Sequence, residues 1–311
     1  MIVFGPVPSR RLGQSIGINN IPPKICTYSC VYCQLGRTTN MKIKRQKFYK
    51  PEKILQSVKE KIQATKEKNE SIDYLTFVSD GEPTLDVNLG EEIKLLNQLG
   101  IKIAVITNSS LIWKKDVRDD LSNTDWVSLK IDTISQEIWH KLNRAHRYLK
   151  LEEILDGIKE FSNCYKNYLT TETMLVNNLN TRYKELEKIA DFIRELKTKK
   201  SYISIPIRPP AEKWAKRPTE QGINEAFQIF KDKGINVEYL IGYEGNEFAF
   251  TGDVEKDILS ITSVHPMRQD AVNNFLLKAK SNWKVIEELL EKDKLVEIEY
   301  SNNKFYIRKL Q

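Results

Sequence analysis

The chain has 311 residues, 40% of them hydrophobic and 29% charged, and its formal net charge is +7. This length suffices for one large domain with a small appendage. The sequence contains no apolar run long enough to cross a membrane, and its start, Met-Ile-Val-Phe-Gly-Pro, lacks the charged region and cleavage site of a signal peptide. The composition therefore excludes a membrane-spanning protein and predicts a cytoplasmic one, whose positive charge permits an acidic partner such as RNA.

A short predicted strand at residues 16–18 leads into a loop, residues 24–38, that contains three of the four cysteines. Cys26, Cys30 and Cys33 have the spacing C-x3-C-x2-C, which lets one loop place three thiolates around a small inorganic cluster. Iron–sulfur clusters are held by cysteine thiolates, usually four of them. Three cysteines would leave one iron of a [4Fe–4S] cluster open to a substrate or cofactor.

Two other interpretations of the cysteine loop remain open. Zinc sites favour a second pair of ligands, and the remaining candidates, Cys164, His140, His146 and His265, have no paired spacing. Free cysteines also pack as small apolar residues. The four cysteines of the chain do not form two natural disulfide pairs, which argues against a secreted disulfide scaffold.

Strands and helices alternate through the first 240 residues. The predicted helices span residues 51–68, 88–99, 112–121, 135–142, 150–163, 181–197 and 219–234. The predicted strands span residues 74–78, 101–106, 126–131, 169–176, 202–207 and 236–240. Strands joined by helical crossovers predict an α/β fold with a parallel sheet and right-handed connections. Six or seven such units are too few for a closed eightfold barrel, so a partial (βα)6-type barrel is expected.

Polar residues directly follow most of these strands. In a parallel α/β barrel the chemistry takes place at the carboxyl ends of the strands, so these residues are candidates for binding a cofactor or substrate. In chain order they are Gly81, Glu82 and Pro83, then Thr107, Asn108 and Ser109, then Lys130 and Asp132, and finally Glu172 and Arg208.

Several of these candidates also have an ordinary structural interpretation. Gly81 permits close backbone approach, yet residues 79–85 are also typical of a strand–helix turn. The polar residues at 107–110 suit ribose hydroxyls and also a helix N-cap. Lys130 needs a partner if it points inward, and Asp132 lies two residues away on the same strand face.

The remaining candidates are four charged residues and the fourth cysteine. Glu172 lies in an apolar strand and faces either inward or outward. Arg208 follows a strand in a rigid, proline-rich segment, where a substrate or cofactor carboxylate could be held. Arg10 and Arg11 suit bidentate binding of an anion, but we interpret them as a solvated arm. Cys164 is interpreted as structural.

The C-terminal region differs in composition from the barrel. Residues 241–264, rich in Gly, Glu and Ser, predict a linker, and residues 265–311 predict a small α+β module. Its elements are two helices and a hairpin with a turn at Asn302 and Asn303, at residues 266–279, 282–292, 295–300 and 304–308. This arrangement resembles a winged helix, a module that either docks nucleic acid or makes only protein contacts.

The cysteine spacing, with the aromatic Tyr32 before the third cysteine, resembles the radical S-adenosylmethionine (SAM) superfamily. The strings Pro-Ser-Arg-Arg-Leu-Gly and Cys-Gln-Leu-Gly-Arg-Thr are similar to an uncharacterised branch related to the wyosine tRNA-base synthases. Those synthases have a second three-cysteine cluster, for which this chain has no cysteines left.

The resemblance implies that Cys26, Cys30 and Cys33 bind one [4Fe–4S] cluster, whose fourth iron is chelated by the amino and carboxylate groups of SAM. It further implies that Tyr32 lies near the adenine, that the turn at 81–83 receives the SAM amino group, and that Lys130 meets the SAM carboxylate.

The function implied is reductive cleavage of SAM with an electron from an external donor. The resulting 5′-deoxyadenosyl radical would abstract a hydrogen from an unidentified substrate, an RNA base or a protein. Two alternatives are an activase that installs a glycyl radical on a partner enzyme, and a non-enzymatic regulator that senses redox state and binds nucleic acid.

Overall fold

The computed structural model describes residues 2–242 and 245–309. Its strands are β1 Val3–Ser9, β2 Gly13–Ile18, β3 Ile25–Cys26, β4 Asn40–Met41, β5 Tyr74–Phe77, β6 Lys102–Thr107, β7 Trp126–Lys130, β8 Tyr168–Met174, β9 Lys200–Ser204, β10 Val237–Leu240, β11 Met267–Arg268, β12 Leu295–Tyr300 and β13 Asn303–Arg308. Its helices are α1 Pro51–Lys66, α2 Leu89–Asn97, α3 Lys115–Leu121, α4 Gln136–Leu142, α5 Leu151–Cys164, α6 Tyr183–Arg194, α7 Glu220–Asp232, α8 Val254–Thr262, α9 Gln269–Lys278 and α10 Lys284–Glu291.

An eight-stranded sheet in the order β1-β2-β5-β6-β7-β8-β9-β10 forms the centre of the protein. Strands β2 and β5 to β10 are parallel, as the alternation of strands and helices predicts. The main core lies between this sheet and the helices that cover it. In α1, for example, Ile54, Val58 and Ile62 recur every four residues, so that one helical face is buried. The predicted α/β sheet with helical crossovers is confirmed.

Strand β1 was not predicted from the sequence. It contains Pro6 and Pro8, and proline cannot donate a hydrogen bond to a neighbouring strand. The structure accommodates both prolines because β1 is the edge strand of the sheet and pairs antiparallel with β2 alone. Its side chains Phe4 and Val7 point into a second core that belongs mostly to the C-terminal region.

The C-terminal region contains a three-stranded antiparallel sheet, β11-β13-β12, packed with α8, α9 and α10. The two predicted helices and the hairpin correspond to α9, α10 and β12–β13. Part of the predicted linker at 241–264 forms α8, and Phe248 within it is fully buried. The domain boundaries and the winged-helix character of the module stay predictions.

All parallel strands of the sheet end at one edge, which brings the segments that follow them together. The loop with the three cysteines lies across this edge, because Ile25 forms a bridge with Gly81 just after β5. Within residues 2–242 and 245–309, no helix is both long enough and apolar enough to cross a membrane.

Candidate active site

A cavity of about 360 Å³ opens at the carboxyl ends of the parallel strands. This volume lies within the range of roughly 300–1,000 Å³ that is typical of small-molecule sites. Of the fourteen residues predicted from the sequence to bind metal or cofactor, eleven line the cavity, namely Cys26, Cys30, Tyr32, Cys33, Gly81, Glu82, Thr107, Asn108, Lys130, Glu172 and Arg208. Pro83, Ser109 and Asp132 lie behind its walls. Their assignment as ligands stays a prediction for all fourteen.

The three cysteine thiols face the cavity beside amide donors. Asn108 Nδ2 lies 3.5 Å from Cys26 Sγ, and Asn143 Nδ2 lies 3.5 Å from Cys30 Sγ. Burial raises the pKa of all three thiols, that of Cys30 to about 12. Because the thiolate is the metal ligand, a metal centre that binds here must displace the three thiol protons.

The arrangement of the three cysteines does not match a site for a single metal ion. Among the residues that the structure describes, no group of three or more His, Cys, Asp and Glu side chains is placed to hold a single metal ion. A cluster has a different requirement, because each of its irons takes its own thiolate. One loop that carries three half-buried cysteines at the cavity wall fits that requirement.

The turn after β5 is packed directly against the cysteine loop. A Cβ atom at Gly81 would lie 1.9 Å from the carbonyl oxygen of Ile25, so glycine alone fits this position. Two backbone hydrogen bonds join the same segments, from Lys24 N to Asp80 O (2.7 Å) and from Glu82 N to Ile25 O (3.2 Å). The turn therefore fixes the start of the cysteine loop relative to the sheet.

The Glu82 carboxylate accepts hydrogen bonds from its own protein. Its Oε1 accepts from the Thr107 hydroxyl at 2.6 Å and from the Thr84 hydroxyl at 2.6 Å, and its Oε2 accepts from Asn108 N at 2.8 Å. Burial raises the pKa of Glu82, although these hydrogen bonds act in the opposite direction. Glu82 thus ties the ends of β5 and β6 together at the cavity wall.

Glu172 lies inside the barrel and is paired with two cations. Its Oε2 accepts from Arg11 Nη1 at 2.5 Å, and its Oε1 accepts from Lys130 Nζ at 2.8 Å and from Ser204 Oγ at 2.9 Å. Burial alone would raise the pKa of Glu172, but Lys130 and Arg11 hold it well below its usual range. Lys130 therefore pairs with Glu172 on the neighbouring strand rather than with Asp132.

The interpretation of Arg11 as part of a solvated arm is wrong. Its side chain is only 13% exposed, and its guanidinium lies 5.8 Å from the ring centres of both Trp126 and Tyr202. No local sequence pattern indicates this contact, because Arg11 and Glu172 are 161 positions apart in the chain. Cys164, interpreted from the sequence as structural, is exposed at the end of α5.

Asp132 supports Tyr32 from behind the cavity wall. The Tyr32 hydroxyl donates to Asp132 Oδ2, which also accepts from Asn143 Nδ2 at 2.9 Å. Met174 N donates to the other carboxylate oxygen at 2.9 Å. On its opposite side, the Tyr32 ring lies 5.1 Å from Lys130 Nζ. These contacts fix the tyrosine ring beside the cysteines.

Lys24 Nζ and Asp80 Oδ2 are buried at the cavity and have no hydrogen-bond partner in the part of the chain that the structure describes. Lys24 Nζ and Asp80 Oδ1 are 3.9 Å apart, which is too long for a hydrogen bond. Burial raises the pKa of Asp80 to about 6. Both residues were missed in the sequence, although they flank the cysteine loop and the Gly81 turn.

The C-terminal region closes one side of the cavity. Arg208 Nη1 donates to Gln34 Oε1 at 3.0 Å, and Arg208 Nη2 lies 2.9 Å from His265 Nε2. Gln34 in turn donates to the carbonyl oxygen of Val264 at 3.1 Å. Arg208 is thus fixed between the cysteine loop and the C-terminal region, and His265, considered from the sequence only as a candidate zinc ligand, lines the cavity.

Comparison with known protein families gives the class of this protein. The family model described as the radical SAM superfamily matches residues 20–193, a span that includes the cysteine loop and strands β5 to β8. The chain belongs to the radical SAM superfamily. Its members are enzymes that use an iron–sulfur cluster and SAM, and the predicted membership is confirmed.

Particular relatives support this placement. The chain is 48% identical over 312 aligned positions to a UPF0026 protein of Methanocaldococcus jannaschii, covering 100% of this chain and 97% of that protein. The solved structure of a radical SAM methyltransferase from Sphaerobacter thermophilus matches with a TM-score of 0.58 at 16% identity. The match covers 73% of this chain and 66% of that chain. This second likeness concerns the fold alone and confirms the partial barrel.

A solved structure of the wyosine synthase TYW1 with a lysine-pyruvate adduct also matches. Its TM-score is 0.45 at 14% identity, and the match covers 96% of this chain and 82% of that chain. At this TM-score the likeness supports no statement about shared chemistry.

Proposed function

We propose that this enzyme binds one [4Fe–4S] cluster through Cys26, Cys30 and Cys33 and cleaves SAM reductively in the cavity beside it. The observation that carries the proposal is that the three thiols line the same cavity as Gly81, Glu82 and Lys130. These residues come from separate strand ends, and the fold brings them to one place. The substrate of the hydrogen abstraction stays unassigned.

The cavity residues fit the methionine end of SAM. That end carries an ammonium and a carboxylate, and the cavity offers a buried carboxylate oxygen of Asp80 and a buried ammonium of Lys24 that lack hydrogen-bond partners among the described residues. A buried polar group without a partner costs about 1–3 kcal/mol, so a ligand that supplies both partners is favoured. Tyr32 provides an apolar ring face beside the same cysteines for the adenine.

When bound, a reduced [4Fe–4S] cluster would supply one electron to the S–C5′ bond of SAM, which releases methionine and a 5′-deoxyadenosyl radical that takes a hydrogen atom from a substrate C–H bond. The chain's own part is to hold the reactants and exclude water. Arg11 and Lys130 keep Glu172 ionised at the inner wall of the cavity. The radical is thereby enclosed by side chains that are held in hydrogen bonds or ion pairs.

The proposal is tested by metal analysis and spectroscopy of the anaerobically prepared protein. We expect about four irons and four sulfides per chain after reconstitution, and a change in the electron paramagnetic resonance spectrum of the reduced cluster when SAM is added. Cys30→Ala should lose the cluster, and Cys164→Ala, at the exposed cysteine, should retain it. Stoichiometric zinc with no iron, or a cluster whose spectrum does not respond to SAM, would contradict the proposal.

A further inference from the structure

Basic residues lie on the C-terminal end of the cysteine loop and on two further loops that pack against it. Residues 34–40, 143–150 and 213–219 together contain seven Lys and Arg residues and no Asp or Glu, although the chain has 42 acidic residues. We name the following residues of these loops the basic rim: Arg37, Arg144, Arg147, Tyr148, Lys213, Trp214, Lys216 and Arg217, which are all exposed except the half-buried Arg144.

The basic rim is separated from the cysteines by a single layer of backbone. Ser29 N donates to the carbonyl oxygen of Asn143 at 3.0 Å, and Val31 N donates to that of Leu142 at 2.9 Å. These two donors flank Cys30 in the chain, and Asn143 Nδ2 also lies 3.5 Å from Cys30 Sγ. A protein bound at the basic rim would therefore be linked to the Cys30 segment through these hydrogen bonds.

The three loops form one rigid platform. Glu212 accepts from Arg37 Nε at 2.7 Å and from Arg144 Nη1 at 2.5 Å, so that one buried carboxylate joins all three. The two guanidinium groups hold the pKa of Glu212 at about 2, so it stays ionised at neutral pH. Ala215, buried between the exposed Trp214 and Lys216, packs in the same apolar cluster as Val31 of the cysteine loop.

The exposed side chains of the rim have the composition of a protein interface. Tyr148 is 65% exposed and Trp214 is 48% exposed, and arginines lie around them. Arg147 contacts the Tyr148 ring, with 4.7 Å between the guanidinium carbon and the ring centre. Tyrosine, tryptophan and arginine are the residues enriched at the centres of protein interfaces. Glu212 offsets part of the charge of Arg37 and Arg144, but the surface stays positive and so favours a partner with a negative one.

We infer that the basic rim is the docking surface for the electron donor, a small acidic protein that carries a low-potential one-electron centre. The inference rests on the proposed function, because it names the partner of the same cluster. In the transfer, the donor's centre loses one electron and is oxidised, and the cluster gains that electron and is reduced. No atom or proton needs to cross the interface.

The test compares two triple variants with equal net charge. In the rim variant, Arg147, Lys213 and Lys216 are each replaced by Gln. In the control variant, the exposed helix residues Lys59, Lys188 and Lys231 are each replaced by Gln. Each variant lowers the net charge from +7 by three. The probe is a flavodoxin, an acidic flavin protein, and the cluster is present in every sample.

Two readouts are measured on each sample. Titration with oxidised flavodoxin gives the dissociation constant of the complex, and anaerobic stopped-flow mixing with reduced flavodoxin gives the rate of cluster reduction. Electrostatic steering changes association rates by about 10- to 1,000-fold at low ionic strength. We expect the rim variant to be slower and weaker than the parent by roughly tenfold, with the gap closing as salt is added, while the control variant matches the parent.

Dithionite separates failure of this inference from failure of the proposed function. If dithionite reduces the cluster of the rim variant and the parent equally, the cluster is intact, and the flavodoxin readouts alone decide the inference. Equal flavodoxin binding and rates for rim and control variants would overturn it. The inference would also be overturned if the rim variant lost binding to a labelled single-stranded oligonucleotide but was still reduced by flavodoxin at the parent's rate. That result would assign the surface to nucleic acid.

A second variant isolates the apolar part of the interface. Trp214→Ala should weaken flavodoxin binding by about tenfold or more, as expected for a central interface tryptophan, and this loss should persist at high salt. Trp113→Ala removes a tryptophan of comparable exposure (37%) outside the rim and should leave binding unchanged. Equal effects of the two substitutions would contradict the assignment of Trp214 to the interface.

Discussion

Replacing Glu172 by Gln should destabilise the protein strongly, because two buried cations would lose their counter-charge. Arg11 and Lys130, with side chains 13% and 19% exposed, both pair with this carboxylate, and Ser204 donates to it as well. Removing one partner of a buried ion pair costs about 3–5 kcal/mol. The Gln carbonyl oxygen still accepts one hydrogen bond, so we expect about 3 kcal/mol, measured by urea unfolding of the cluster-free protein.

A surface pair provides the matched control. Lys200 Nζ lies 2.5 Å from Glu238 Oε2, and the Glu238 side chain is 47% exposed. Because solvent screens exposed pairs, Glu238→Gln should cost less than about 1 kcal/mol. An equally small cost for Glu172→Gln would refute the assignment of Glu172 as the buried counter-ion of the barrel.

The pH dependence of this difference follows from the pKa of Glu172. The folded-state pKa lies well below the usual range, whereas an unfolded-state glutamate titrates near 4.3. The stabilisation by Glu172 is therefore complete above about pH 4.3 and is lost as the pH falls toward the folded-state pKa. The gap in unfolding free energy between the parent and Glu172→Gln should narrow below about pH 4.3. A gap that widens there would contradict this reasoning.

Two further substitutions test the turn that supports the cysteine loop. Gly81→Ala would place a Cβ atom 1.9 Å from the carbonyl oxygen of Ile25, so we expect a displaced cysteine loop and lower iron content after reconstitution. Gly222→Ala, whose Cβ atom would meet nothing closer than 3.4 Å, should keep the parent's iron content. Equal iron content in both variants would argue against a role of Gly81 in positioning the cysteine loop. Glu82→Gln would place an amide group where Asn108 N now donates to a carboxylate oxygen. We expect this change to lower the free energy of unfolding by about 1–3 kcal/mol and to weaken SAM binding, measured by calorimetry. A variant that retains the cluster and binds SAM as tightly as the parent would remove Glu82 from the site.

Elements with a regular local pattern could be predicted from the sequence, and those with a mixed pattern could not. The central strands are continuous apolar runs, which parallel sheets bury on both faces. Strand β1 has two prolines, and its stability depends on its place at the sheet edge, which a local pattern does not contain. Helix α8 did carry a local signal, since the Asp253 side chain accepts from Lys256 N as an N-cap, but the surrounding Gly, Glu and Ser residues outweighed it.

The candidate site divides in the same way. The three cysteines lie within one loop, so their spacing alone indicates a shared metal centre. The partners of Glu172 come from the N-terminal segment and from two other strands, and their choice depends on which side chains the folded barrel brings within reach. In the sequence, Lys130 is much closer to Asp132 than to Glu172. It nevertheless pairs with Glu172, because β7 and β8 place these two residues directly opposite each other.

Formation of 5′-deoxyadenosine tests the central claim most directly. The parent protein, Cys30→Ala and Cys164→Ala are each reconstituted with iron and sulfide under anaerobic conditions, given dithionite and SAM, and analysed for 5′-deoxyadenosine and methionine. We expect the parent and Cys164→Ala to form 5′-deoxyadenosine and methionine in the same amounts as each other. Cys30→Ala should form neither product above background. Equal product from all three proteins, or product from none of them while the cluster is intact and reduced, would contradict the central claim.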